Sequence, residues 1–258
     1  MQQYKPGDFT GLADNYSKYR PGYAAGAVRA LFGYCGRSAK DLDVVDVGAG
    51  TGIWTRILAA MGPRSLRAVE PNDDMRSAGM RDSADAPIEW HAGTGEATGL
   101  NDASADLLCM ASSFHWADFD SATTEFARVL RPQGVFAALW NPRVIEANPL
   151  LVEIEDKLYK MAPHIKRRSS GRAAFTDTLT ERLADCGHFD DVVYIEGRHV
   201  ARQTREHYLG VWRSVNDVRS QAGEATFAQY LEWVAQRIAG IEIIETVYQT
   251  RLWATRRG

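Results

Sequence analysis

Short apolar runs alternate with amphipathic stretches over the first 140 residues. Val44 to Val47, Leu66 to Glu70, Ile88 to His91, Ala105 to Met110 and Gly134 to Trp140 have the length and composition of buried strands. Between them the spacing predicts a helix over 22–35, with Val28, Leu31 and Phe32 on one face, and another over 52–61 that stops at Gly62-Pro63. A third starts at Asn72-Asp73-Asp74 and runs to about Arg81, and a fourth covers 119–130, before an Arg131-Pro132-Gln133-Gly134 turn. Strand and helix in strict alternation are what a parallel sheet with helical crossovers requires. After Trp140 the period breaks. A helical insertion over 141–187, with a polar loop at 161–172, precedes a strand at 191–200, helices at 204–220 and 224–239, and a last strand at 247–255.

The chemistry is concentrated where the first strand ends. Val44-Val45-Asp46-Val47-Gly48-Ala49-Gly50-Thr51-Gly52 places glycines at alternate positions of a strand-to-helix turn. There the backbone can approach a ligand that a Cβ would hold away. The second strand ends in Glu70, followed by Pro71, and an acid at that point of a doubly wound sheet can accept from both hydroxyls of a ribose. A dinucleotide site would want a small residue where Ile53 stands, and Asp46 is ill placed beside a pyrophosphate but well placed beside an ammonium group.

The pattern D-x-G-x-G-x-G followed by an acid at the end of the next strand resembles the class I S-adenosylmethionine (AdoMet) dependent methyltransferases. Thr94-Gly95-Glu96 after the third strand, Ser112 to Asp118 after the fourth, Arg128 to Gly134, and the arm from Phe9 to Tyr23 extend the resemblance to the type 11 branch. That branch comprises small-molecule methyltransferases that include trans-aconitate-like enzymes. The resemblance covers residues 9–140 well and the remainder only in general layout.

It implies a Rossmann-like α/β fold: a mostly parallel, doubly wound seven-stranded sheet with an antiparallel C-terminal edge hairpin and a helical cap. One domain, 1–258, would have its core at about 36–140, 188–203 and 245–258, and its cap at 9–35, 141–187 and 204–240. The resemblance also implies AdoMet as cofactor, with S-adenosylhomocysteine (AdoHcy) as product and no metal. Asp46 would accept from the methionine ammonium; Gly48, Ala49, Gly50 and Gly52 would form the loop beneath the cofactor; Glu70 and Pro71 would hold the ribose. Thr94, Gly95, Glu96 and Ser112 would line the adenine side. Met75 is either an adenine cover or a core methionine. Arg20 would reach the cofactor carboxylate, and Tyr16 or Tyr19 would close over the sulfonium, whose charge favours aromatic faces.

Methyl transfer from a sulfonium needs alignment more than acid–base help, so the catalytic side is faint. His115 is the candidate base, with a positioning role as the alternative. Tyr19, Tyr23, Trp116, Trp140, Asn141, His164 and Trp212 are candidates for the acceptor pocket, and Arg143, Arg202 and Arg213 for an acidic acceptor.

Composition narrows the partners. Apolar residues make up 45% and charged residues 24% of the chain, and the net charge is −3, which gives no general pull toward nucleic acid or an anionic membrane. The basic cluster Lys166-Arg167-Arg168 reads as a solvated loop. Cys35, Cys109 and Cys186 are widely spaced, unlike a disulfide framework or zinc site, and suit a reducing compartment. With no leader-like apolar segment and no run of membrane-spanning length, a soluble, cytoplasmic protein is expected, as a monomer or homodimer. An RNA or protein methyltransferase and a non-catalytic AdoMet-binding module are the alternatives.

Overall fold

A computed structural model describes residues 13–166 and 174–258; Phe9, Arg167 and Arg168 lie outside them. The described residues begin with α1 (Ala13–Tyr19) and α2 (Ala25–Cys35) and then enter the alternating run: β1 (Asp43–Val47), α3 (Ile53–Ala60), β2 (Ser65–Val69), α4 (Asp73–Asp82), β3 (Glu89–His91), β4 (Ala105–Ala111), α5 (Phe119–Val129), β5 (Leu130–Trp140). They continue through α6 (Pro149–Met161), α7 (Leu179–Asp185), β6 (Phe189–Thr204), α8 (Arg205–Arg213), α9 (Asn216–Ala222), α10 (Glu224–Arg237) and β7 (Ile243–Arg257). The sheet order is β3-β2-β1-β4-β5-β7-β6, parallel except for β7, which is antiparallel to both neighbours. This is the Rossmann-like sheet with an antiparallel edge that the sequence suggests.

Strand alternation divides the core into two layers. Val44, Leu107, Cys109, Val135, Ala137 and Leu139 face α2 and α3 with Leu31, Trp54 and Leu58. Val45, Val47, Leu108, Met110, Phe136 and Ala138 face α5 and α7 with Phe126, Leu179 and Leu183. Helix starts follow local chemistry: the Asn72 side chain accepts from Met75 N, Asp118 from Ser121 N, and Thr204 from His207 N. Arg131–Gly134 forms a bulge within β5, where the pairing of β4 with β5 shifts register and Gln133 adopts φ +64°.

The cap is smaller than its expected bounds. Both α2 and α7 pack on the sheet, because their apolar faces join the two core layers. Separately, α6, α8, α9 and α10 bury Leu151, Ile154, Leu158, Tyr208, Trp212, Phe227 and Tyr230 in a core of their own. The edge strands are longer than expected. Only Arg251–Arg256 of β7 pair with β5, so the rest of β7 and its β6 partner project past the carboxyl edge as a two-stranded ribbon carrying α8 to α10.

Within the described part of the arm only Ala13–Tyr19 is helical. It stops at Tyr19 because Pro21 disfavours the helical conformation at Arg20. It bridges the core and the cap: Asp14 pairs with Arg81 and Ser17 with Asp82, while the Tyr19 ring lies against Gly210, where a Cβ would come within 2.3 Å of it.

Candidate functional site

A cavity of about 790 Å³ lies at the carboxyl ends of β1, β2, β4 and β5, beneath α1 and the cap. Its inner half is built by the glycine loop. Gly48 N and Ala49 N both donate to Val69 O (2.8 and 3.1 Å), which curls the loop over the end of β2. Gly48, Gly50 and Gly52 all take positive φ, and at Gly48 a Cβ would stand 2.7 Å from Ser113 Cβ and Oγ. Gly52 caps α3 and is not among the lining residues, whereas Gly48, Ala49, Gly50 and Thr51 are.

Two buried carboxylates flank this loop. Glu70 accepts from Gly50 N (2.7 Å) and Asn72 N (2.9 Å), and burial raises its pKa against those two donors. Each carboxylate oxygen retains a further acceptor position. Asp46 is fully buried; its Oδ2 accepts from Thr55 Oγ1 (2.6 Å), and its Oδ1 has no hydrogen-bond partner among the described residues. Burial pushes its pKa up to about 7, opposed by the Thr55 hydroxyl and assisted by the nearby Glu70 charge. Both side chains line the cavity, as do Pro71, Met75, Thr94, Gly95, Glu96 and Ser112. Thr94 Oγ1 also accepts from Ala97 N, and Glu96 accepts from Asp118 N, so these side chains fix their own loop. Ser112 adopts φ +56°, an uncommon conformation for a residue with a Cβ.

Tyr16, Arg20, Tyr23, Trp116 and Asn141 also reach the cavity, but several are tied elsewhere. Arg20 lies over the Tyr16 ring and donates to Ser214 Oγ (2.9 Å) and O (3.2 Å), which fastens the arm to the end of α8. Asn141 donates to Gly22 O and accepts from Thr250 Oγ1. The Tyr23 hydroxyl meets Ser112 Oγ at 3.2 Å, and burial holds its pKa well above the usual phenol range.

Four other expected site residues fall outside the cavity lining. Tyr19 is buried against α8, its hydroxyl donating to Glu206 and its carbonyl accepting from His207 Nε2 (3.0 Å). His164 meets Gln221 O (2.9 Å), which ties the end of α6 to α9. Trp212 sits in the cap core beneath Arg143, whose guanidinium is 4.8 Å from the ring centroid. Trp140 is turned into the sheet core, edge-on to Trp253, because strand alternation points it away from the cleft.

His115 also lies behind the lining. Trp140 Nε1 donates to His115 Nδ1 (3.2 Å), and since an indole nitrogen can only donate, the neutral ring carries its proton on Nε2. Burial pushes its pKa down to about 4, against the opposing pull of Asp217. Neither nitrogen offers a free lone pair, so the geometry opposes a base and suits a positioning role. We expect His115→Gln to leave any acid limb of the turnover–pH profile in place. Loss of a limb near neutrality would show that the imidazole takes the acceptor's proton.

The outer half was largely missed by sequence reasoning. Ile145, Glu146, Glu155, Tyr159, Val211, Val215, Asn216, Asp217 and Tyr248 converge there from four separate segments. Arg143, which pairs with Glu155 at 2.7 Å in a mostly buried ion pair, joins them. Arg202 instead pairs with Glu245 (3.7 Å) on the exposed ribbon. Glu155 had a visible signal: it stands on the apolar face of α6, four residues after Leu151, where a solvated acid has no place.

Among the described residues, no cluster of three or more His, Cys, Asp or Glu side chains is placed to hold a metal ion, and no helix is long and apolar enough to cross a membrane. In its sheet order, its glycine loop and its two buried acids the chain is similar to the class I S-adenosylmethionine-dependent methyltransferases. Residues 45–138 match the methyltransferase domain family. An uncharacterized methyltransferase of Mycobacterium tuberculosis H37Rv is 35% identical over 128 residues, 50% of this chain and 49% of the relative. An uncharacterized methyltransferase-like protein of Schizosaccharomyces pombe is 33% identical over 100 residues, 39% of this chain and 38% of the relative. The chain thus spans about half or less of the length of these relatives. A solved structure of a candidate type II methyltransferase from Anaeromyxobacter dehalogenans shares the fold, with a TM-score of 0.66 over 92% of this chain and 98% of the other at 24% identity.

Proposed function

We propose that this protein transfers the methyl group of AdoMet to a small-molecule acceptor enclosed beneath the cap. The observation that carries this reading is Asp46 Oδ1, a buried carboxylate oxygen with no hydrogen-bond partner among the described residues, in a side chain lining a cavity floored by glycines. A buried acceptor in that position is costly unless a ligand completes it, and an ammonium group does so.

On this reading Asp46 holds the amino acid moiety and Glu70 the ribose hydroxyls. Thr94, Gly95 and Glu96 bound the adenine side, and Tyr16 closes the arm side. The cavity volume lies within the roughly 300–1,000 Å³ typical of small-ligand sites. Bound AdoMet supplies an activated methyl group with a neutral thioether as leaving group. The protein's part is alignment and exclusion of water: Trp116, Tyr159, Val211 and Val215 supply apolar parts of the outer wall, and Glu146, Asn216, Asp217 and the Arg143–Glu155 pair supply its polar groups.

The test is thermal stability with AdoMet, AdoHcy, NAD and NADP side by side. A ligand at 100 times its Kd stabilises by about 2.7 kcal/mol. A shift with the AdoMet pair alone, followed by label transfer from methyl-labelled AdoMet to a panel of small acceptors, is the expected result. A shift with NAD alone, or with none of the four, sinks the proposal.

A further inference from the structure

One margin of the sheet is closed by β6, which pairs with β7 on one side and with no other strand among the described residues. Along Tyr194–Val200 its faces differ. Val193 and Ile195 pack toward α2, whereas Tyr194, Glu196, Arg198 and Val200 are exposed, Val200 by 53%. Charges of one sign, prolines, bulges or a covering element usually blunt an open edge. Here the two charges are opposite in sign and share one face with a large aromatic and a β-branched residue.

The order of those four residues is self-complementary. Lay a second antiparallel copy beside β6 with the twofold axis at Gly197. Glu196 then faces Arg198 of the second copy, Tyr194 faces Val200, and each pair occurs twice. Opposite charges and aromatic–β-branched partners are the favourable cross-strand pairs. Moving the axis by one residue sets Arg198 against Arg198, or Glu196 against Glu196, and like charges in that position oppose pairing. A register shift at Asp190–Val193 ends the regular ladder on one side, and the start of α8 after Thr204 ends it on the other. We infer that β6 is a homodimerisation edge, where two copies of this chain join their sheets across Tyr194–Val200 in the register centred on Gly197. Such an isologous pairing uses the backbone for affinity and the side chains for register.

Sedimentation equilibrium of the full chain tests this over roughly 1 to 100 µM, the range in which a small edge interface associates. Wild type should be dimeric at the upper end. Arg198→Glu leaves Glu196 facing a second carboxylate across the twofold axis, twice over, and should weaken association at least tenfold. Glu196→Arg should do the same, although it also removes an acceptor of the Tyr194 hydroxyl (2.7 Å), which makes the first variant the cleaner. The double variant Glu196→Arg/Arg198→Glu restores the opposite-charge pairs and should recover dimerisation. None of these positions lines the cavity, so the AdoMet-induced thermal shift should persist in every variant and report folding. A wild type that stays monomeric, single variants that associate like wild type, or a double variant that stays monomeric would each overturn the proposal.

Discussion

Asp46→Asn should bind AdoMet at least tenfold more weakly than wild type at pH 8, and its remaining affinity should vary far less with pH between about 5.5 and 8. An ammonium binds the ionised carboxylate, and with its pKa pushed up to about 7 Asp46 is ionised above neutrality and protonated below it. Wild-type affinity is therefore fully present above pH 7 and lost as pH falls, by up to about tenfold per unit, since one pKa unit corresponds to about 1.36 kcal/mol. Glu70 is also raised by burial and remains in both proteins, so the difference between the two pH profiles isolates Asp46. Calorimetric titration across pH measures it. Parallel profiles for wild type and variant would remove Asp46 from the cofactor site.

Gly48→Ala should cost far more than Gly62→Ala, although both glycines have nearly the same backbone. Their φ values are +66° and +71°, and a Cβ at Gly62 meets nothing within 4 Å while one at Gly48 stands 2.7 Å from Ser113. The unfavourable φ is common to both and is worth about 1–2 kcal/mol. Crowding adds about 1–3 kcal/mol at Gly48 alone. Ser113 cannot yield freely, because its hydroxyl donates to Val47 O and its backbone leads into the His115–Trp140 contact. For a chain of this size each kcal/mol lowers the melting temperature by roughly 2–4 °C. Gly48→Ala should thus melt several degrees below Gly62→Ala, and the AdoMet-induced shift should survive only in Gly62→Ala. Equal melting points, with the shift kept in both, would mean that the loop has room for a side chain.

The inner half of the cavity was legible in the sequence because its residues sit at fixed offsets from buried strands. Gly48, Glu70, Thr94 and Ser112 each follow a strand whose apolar run can be read directly, and backbone pairing then sets where the loop after it falls. The outer half was not, because its residues come from cap helices whose packing partners lie far away in sequence. Val211 and Val215 read as ordinary core residues until α8 is seen folded over the sheet. Trp140 misled for the opposite reason: the strand end was located correctly, but which face its last side chain takes depends on parity, and parity sends it inward. His115 carried no sign of its orientation until the Trp140 contact was visible.

The ribbon of β6 and β7 has a consequence for where this chain can change length. Thr204 and Ile243 are cross-strand partners, so the segment between them leaves the ladder and returns to it at a single rung. An insert fastened this way is closed at its base, so a change of length within it leaves the strand register below in place, while its helices keep their packing on α6 and α1. Val211, Val215, Asn216 and Asp217 all belong to that insert, whereas Asp46, Gly48 and Glu70 belong to the sheet. The architecture therefore places part of the outer wall on an insert attached at one rung, apart from the strands that carry the inner half-site.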